Sequence, residues 1–236
     1  LTQLDKAFTL RAALPAGAIA GRGGLEVALR AHLGDGLQGV HEFMGDYAYI
    51  CLEQTLSRAI ALRDRGLFDD VMARLPNYLD RDGLARYFPS DWLEGSDTLT
   101  SYILAVASEA GWDIPDASLK PMQNALRRFV AGEIMRDSVL PTTDLGLRKL
   151  AAVSALARYG MADAAMLGSI SIEPELWPTS GLLDWVDILK RVPNIDDGAA
   201  KLTHAAQLLR ARLNFQGTVM GFATEREDAL WWLMIS

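Results

Sequence analysis

What most constrains this chain is its punctuation after about Glu42, which is that of successive helices joined by short polar or Pro-containing loops. The pattern predicts helices over residues 52–64, 66–75, 98–110, 117–137, 144–159, 161–169, 181–191, 197–213 and 224–234. Gly111 and Gly160 stand where helices stop, and Asp116, Thr143 and Asp196 where they start. Paired helices at this density, with no second strand-rich region, point to a mostly α fold of packed hairpins. Both a closed α/α toroid and an open solenoid satisfy the pattern. No fixed-period repeat decides between them.

The first forty residues read differently. In Leu25–Ala31 the larger apolar residues Leu25, Val27 and Leu29 alternate with Glu26 and Arg30, the period of a half-buried strand. Phe8–Leu14 is its candidate partner, with Pro15-Ala-Gly and Gly21-Arg-Gly-Gly24 supplying turns. A boundary is therefore expected between a β segment at 1–40 and a helical domain at 41–236.

Composition narrows the function classes. With 236 residues, half of them apolar, the chain can bury a core of its own. A net charge of -7 and no block of Lys or Arg argue against nucleic acid as a partner. No apolar run approaches the length of a membrane span, so the segment is not expected to be membrane-embedded. A single cysteine cannot form an internal disulfide, so cysteine usage says nothing of the compartment. The chain starts at Leu1 without an initiating Met, which suggests a piece of something longer.

The stretch that carries chemistry is Gly45-Asp-Tyr-Ala-Tyr-Ile-Cys-Leu-Glu-Gln-Thr-Leu-Ser-Arg58. Cys51 sits where an aromatic loop turns into a helix, and Gln54 lies three residues on. In helical geometry their Cβ atoms stand about 5–6 Å apart on one face. The positive end of the helix dipole favours a thiolate there. Such a thiolate can attack the Gln54 amide carbon, expel ammonia and leave a cyclic thioester. The plainer alternative is a buried free cysteine beside a surface glutamine.

Cys51-Leu-Glu-Gln54 after Tyr47-Ala-Tyr49 resembles the Cys-x-Glu-Gln thioester motif of the alpha-2-macroglobulin and complement superfamily, the leucine being similar to its bacterial branch. Trp92-Leu to Leu99-Thr-Ser-Tyr102, Thr143-Asp-Leu-Gly-Leu-Arg-Lys-Leu150 and Glu225–Met234 resemble later helices of the same family. The resemblance implies a toroid of six inner and six outer helices, the first strands belonging to an adjacent β-sandwich domain. It implies a protease inhibitor rather than an enzyme: the thioester between Cys51 and Gln54 would take up amines, such as a lysine of an attacking protease, in a single use. Tyr47 and Tyr49 would shield the bond. It also implies a periplasmic parent, lipid-anchored to the inner membrane, with neighbouring domains of the same chain as partners. No cofactor and no metal are implied.

Two departures stand out. The family more often carries Tyr-Pro-Tyr-Gly before the cysteine, where this chain has Tyr47-Ala48-Tyr49-Ile50, and a β-branched Ile resists the positive φ a Gly accepts. Some complement relatives also use a downstream histidine to pass the acyl group to hydroxyls. Here no histidine lies between His41 and His204, and Asp144 is the candidate for that position, so direct attack by amines is expected.

Two other readings use the same residues. One is a helical-toroid glycoside hydrolase with paired carboxylates, for which Asp69-Asp70, Asp184 with Asp187, or Asp196-Asp197 are candidates. The other is a plain helical binding module. Trp231 and Trp232, at the end of an amphipathic stretch, fit core or interface packing.

Overall fold

The structure, a computed structural model, describes residues 6–9, 11, 13, 16–19, 21–23, 27, 29, 38–137, 141–170, 173–216 and 219–222; the side chains of 141–144, 215, 216, 219 and 220 lie outside that description. It is mostly helical. The α-helices are α1 Gln38–Gly45, α2 Leu52–Leu62, α3 Arg65–Arg74, α4 Asp97–Ala110, α5 Asp116–Ala131, α6 Pro141–Ala157, α7 Thr179–Arg191 and α8 Gly198–Ala211. Short 3₁₀ turns follow at Leu75–Tyr78, Ala164–Ser169 and Pro174–Leu176. A two-stranded antiparallel hairpin, β1 Leu213–Gln216 and β2 Val219–Phe222, follows α8.

Local chemistry explains the boundaries. Helix α2 buries Leu52, Leu56 and Ala59 on one face and stops at Arg63, which is left-handed at φ 54°. Asp64 then opens α3 by accepting Leu67 N–H at 3.0 Å. Ser96 caps α4 by accepting Leu99 N–H at 3.1 Å, and Gly111, at φ 67°, ends it. Helix α5 stops at Gly132, φ 82°, short of the expected 137, because a left-handed glycine turns the chain while its N–H returns to the last carbonyls. Helix α6 begins at Pro141, so Thr143 lies inside it rather than before it. The segment expected as a helix over 161–169 is a 3₁₀ turn at its second half, opened by Asp163 accepting Met166 N–H at 3.2 Å.

The helices pack as successive hairpins. Neighbours α2–α3, α4–α5, α5–α6, α6–α7 and α7–α8 pair in succession, while α2 lies against α4 and α4 against α6. One continuous core joins them, its fully buried members including Leu56, Phe68, Leu75, Leu99, Ile103, Leu126, Phe129, Leu150 and Leu156. Helix α1 packs on α2 and runs across residue 40, the expected domain boundary.

Of the expected N-terminal strands, Val27 and Leu29 are described and are 69% and 79% exposed. The other positions of Leu25–Ala31, several of Phe8–Leu14, the expected helix 224–234 and Trp231-Trp232 lie outside the described residues. Among the described residues no helix is long and apolar enough to cross a membrane.

Candidate functional site

Cys51 is the N-cap residue of α2, extended at φ -65° and ψ 165°, and its side chain makes no capping bond. It is a free cysteine, buried to 8% exposure. The first helical bond runs from Thr55 N–H to the Cys51 carbonyl at 2.9 Å, and the Thr55 hydroxyl donates to the same oxygen. Gln54 is therefore at the third helical position, half-buried. This is the spacing of a capping box, in which the third side chain reaches back toward the N-cap residue. The backbone thus places Gln54 at the position from which a side chain can reach back to the N-cap residue.

The sulfur leaves the donors of the first turn uncapped, and one of them is satisfied from far away. Leu52 N–H donates to the Tyr87 carbonyl at 2.9 Å. Tyr87 belongs to a strap, residues 79–96, that joins the first 3₁₀ turn to α4. Asp80 pins both ends of the strap: Oδ1 accepts Asp82 N–H and Leu84 N–H, each at 2.9 Å, and Oδ2 accepts Gly95 N–H at 2.9 Å. Arg136 closes the pin, donating to Asp80 Oδ2 at 2.7 Å and to the Gly95 carbonyl at 2.9 Å. Burial pushes the Asp80 carboxyl up, but the hydrogen bonds from Leu84, Arg136 and Gly95 outweigh it and hold the group below its ordinary value. Ala85 N–H donates to the Thr100 hydroxyl at 2.8 Å, tying the strap to α4.

The aromatic lead-in forms a short stack. Tyr47 lies between Phe43, at 5.4 Å between ring centroids, and Tyr49, at 5.1 Å. Tyr47 is half-buried, Tyr49 is 63% exposed and Ile50 is 79% exposed. Arg58 on α2 donates to the Gly45 carbonyl at 3.2 Å and holds the lead-in against the helix. Ile50 is not among the described non-glycine residues of positive φ, which are Arg63, Asn194 and Asp197. The lead-in reaches Cys51 in a conformation an Ile accepts.

Beside this first turn lies a polar chain the sequence did not announce. The Ser57 hydroxyl is 2.8 Å from Glu53 Oε1 and 2.6 Å from the Tyr102 hydroxyl on α4. Burial raises the Tyr102 phenol, the Ser57 hydrogen bond opposes that rise, and the Glu53 charge adds to it. The Tyr87 phenol is raised by burial first and then by the charges of Glu53 and Cys51, with a hydrogen bond from Ser96 opposing the rise. Tyr102 is the tyrosine of Leu99-Thr-Ser-Tyr102, a visible motif. Its contact with Ser57, 45 residues earlier, has no local signature.

The remaining candidates lie elsewhere. His41 is exposed on α1, and His204 on α8 pairs with Glu175 at 3.2 Å in a cleft walled by Trp177 and Trp185. Asp144 is in the first turn of α6, and its side chain lies outside the described residues. Asp69 pairs with Arg65 at 2.9 Å along α3, Asp70 is exposed on the same helix, and Asp197 is the left-handed N-cap of α8. Asp184 and Asp187 are one turn apart on α7, where Asp187 meets Arg191 at 2.7 Å and Arg158 at 3.2 Å. Among the described residues no group of three or more His, Cys, Asp or Glu side chains is placed to hold a metal.

No family model matches the chain, and no curated protein matches it. Two solved structures do. One is the crystal structure of native alpha-2-macroglobulin from Escherichia coli, from domain MG7 to the C-terminus, with a TM-score of 0.58 at 20% identity. The other is a cryo-EM reconstruction of the native conformation of the same E. coli protein, with a TM-score of 0.57 at 20% identity. Each likeness covers 72% of this chain, which spans 30% of the first matched chain and 12% of the second. The chain therefore shares its fold with a segment of E. coli alpha-2-macroglobulin.

Proposed function

We propose that Cys51 and Gln54 are joined as an internal thioester, and that this chain is the thioester-bearing part of a bacterial alpha-2-macroglobulin-like protease inhibitor. The observation that carries this reading is the coincidence of two independent features. The Cys51-Leu-Glu-Gln54 string lies at the N-cap and third positions of a helix, the spacing that closing such a ring requires, and it lies on the fold of E. coli alpha-2-macroglobulin.

The chemistry inverts that of a cysteine enzyme. An amine, such as the side chain of a lysine on an attacking protease, forms a bond to the Gln54 carbonyl carbon. The C–S bond breaks, Cys51 departs as thiolate, and the protease is left attached through an amide. The protein acts once and does not turn over. Shielding the bond until then falls to Tyr47, stacked between Phe43 and Tyr49. Tyr49, Ile50, Phe88 and Trp92 stand exposed on the lead-in and on the strap, and this apolar face suits a neighbouring domain of the same chain. The complete helical toroid, the adjoining β-sandwich and a periplasmic, lipid-anchored parent belong to the same proposal.

Intact mass and thiol titration test it, on the longest available chain, with and without methylamine. The expected protein is lighter than its sequence by one ammonia and has no titratable thiol. Methylamine adds its own mass and releases one thiol. A fresh protein with a quantitative thiol and an intact Gln54 amide overturns the reading.

A further inference from the structure

Helix α6 carries a positive charge that no carboxylate among the described residues answers. Lys149 is 9% exposed, and its ammonium donates to one protein atom there, the Ser169 hydroxyl oxygen at 3.2 Å. An ammonium has three protons to give and accepts none. A buried charge is costly unless an opposite charge meets it, and a neutral hydroxyl is not one. The hydroxyl is altered instead. Having accepted from Lys149, Ser169 keeps its own proton to donate, polarised by the ammonium, and among the described residues that proton has no acceptor.

Ser169 lines a groove of about 630 Å³ between α5 and the Ala164–Ser169 turn, and Arg127 and Arg128 line it from α5. Arg127 is exposed and pairs with no carboxylate among the described residues. Arg128 meets Asp82 and Glu133 at 3.5 Å each. The two acids of the groove are already engaged, Glu133 by Arg128 and Asp163 by the Met166 N–H it accepts at 3.2 Å. Two unanswered cations, Arg127 and Lys149, therefore border one cavity, the second of them through a hydroxyl poised to donate. We propose that this groove binds the oxyanion of a small molecule, a phosphate or a carboxylate, through the Ser169 hydroxyl in front of Lys149 and the Arg127 guanidinium. A guanidinium fork suits either group. The groove has the size of a small-molecule site, so the oxyanion is one group of a larger ligand. It shares no residue with the Cys51–Gln54 turn and stands whether or not a thioester forms.

The test is isothermal titration calorimetry of the full chain with inorganic phosphate and, separately, with acetate, at low ionic strength in a buffer free of other oxyanions. At least one of the two should bind at a single site and weaken as sodium chloride is added. The tighter of the two identifies the ligand's group as phosphate or carboxylate. Arg127→Ala alters an exposed side chain, so it should keep the wild-type melting temperature while binding about tenfold or more weakly. Lys149→Met keeps the buried stem and removes the charge. It should abolish binding and, without anion, melt no lower than the wild type, because an unanswered charge has left the interior. Binding of neither anion by the wild type overturns the proposal, and so does an Arg127→Ala or a folded Lys149→Met protein that binds as the wild type does. Should Lys149→Met fail to fold, Arg127→Ala decides alone.

Discussion

The backbone N–H of Leu52 is bonded to the carbonyl of Tyr87 at 2.9 Å, so a strap far along the chain completes the N-terminus that Cys51 leaves uncapped. A serine or aspartate at the N-cap would serve this helix end locally. A cysteine leaves its sulfur uncommitted and the second and third N–H groups without a side-chain cap, while the Tyr87 carbonyl serves the first, that of Leu52.

Gly95 is the tightest point of the strap. A Cβ there would lie 2.4 Å from the Leu84 carbonyl oxygen and 2.7 Å from Asp80 Oδ2. Gly95→Ala should therefore displace the Asp80–Arg136 pin and cost about 1–3 kcal/mol of stability in chemical denaturation. Because the strap holds Tyr87 against Leu52, the variant should also lose the thioester faster than Gly111→Ala, a control on the far end of α4. Equal leakage from the two would detach the strap from the site.

Cys51→Ser should convert the first turn of α2 into an ordinary capped terminus. The serine oxygen can accept a first-turn N–H that the sulfur leaves unbonded. Compared with methylamine-opened wild type, whose cysteine is free, the variant should be more stable by about 0.5–1 kcal/mol in urea unfolding. It should incorporate no labelled amine. A variant less stable than the opened protein would mean that the Cys51 sulfur, not the strap, holds the helix end.

Tyr47→Gly should open the aromatic stack on both sides, since its ring bridges Phe43 and Tyr49. A ring over a thioester excludes water at little rotamer cost. Thiol release in amine-free buffer should accelerate severalfold with the circular dichroism spectrum unchanged. Tyr49→Gly, which removes a more exposed ring, should accelerate it less; the reverse order would shift the shielding role to Tyr49.

Competition between methylamine and glycerol should favour the amide product. His41 is exposed on α1, and His204 on α8 is engaged with Glu175 of the Pro174–Leu176 turn, so neither is poised to activate an alcohol. Mass spectrometry of the opened protein distinguishes the two adducts, and a mainly ester product would contradict direct amine attack.

Asp184 gives the helical core a pH dependence of its own. Desolvation is the main cause that raises its carboxyl to about 6, with Asp187 adding and Ser154 and Arg158 opposing. The residue retains some surface, yet the carboxyl is closely surrounded by protein, and the crowding sets the direction. The charges that act on it are Arg158, just past the end of α6, and Asp187 one turn on along α7; Arg158 pairs in turn with Glu109 of α4, and Asp187 with Arg191. With the folded value above the unfolded one, the folded state binds more protons between them, so stability falls as pH rises from about 4 to about 6. Asp184→Asn should remove that slope and raise the melting temperature at pH 7.5 by on the order of a few degrees. An unchanged slope between pH 4 and 6 would assign it to another group.

Legibility in the sequence followed distance along the chain. The cores of α2, α3, α4 and α7 were readable because apolar spacing and capping residues are local, and Gly111 marked a stop that the structure uses. Helix α1, with glycines at 39 and 45, carries too few periodic residues to be seen. The hairpin after α8 fell in the gap left between the expected helices 197–213 and 224–234 and was not foreseen, although Gln216-Gly217 is a turn signal. Cys51 and Gln54 stood out because the ring they suggest closes within one turn. Tyr87, Ser57 and Tyr102 did not, since what brings them to α2 is the packing of α2 on α4 and a pinned strap, and neither leaves a mark in nearby residues.

Synthesis from the N-terminus gives the pin a temporal consequence. A nascent chain exposes Cys51 and Gln54 early, but Arg136 pairs with Asp80 across 56 residues, and until it emerges the strap lacks its clasp. The clasp of the strap can therefore close only after the five helices α1 to α5 have been made, so the Tyr87 carbonyl becomes a fixed partner for Leu52 late in synthesis.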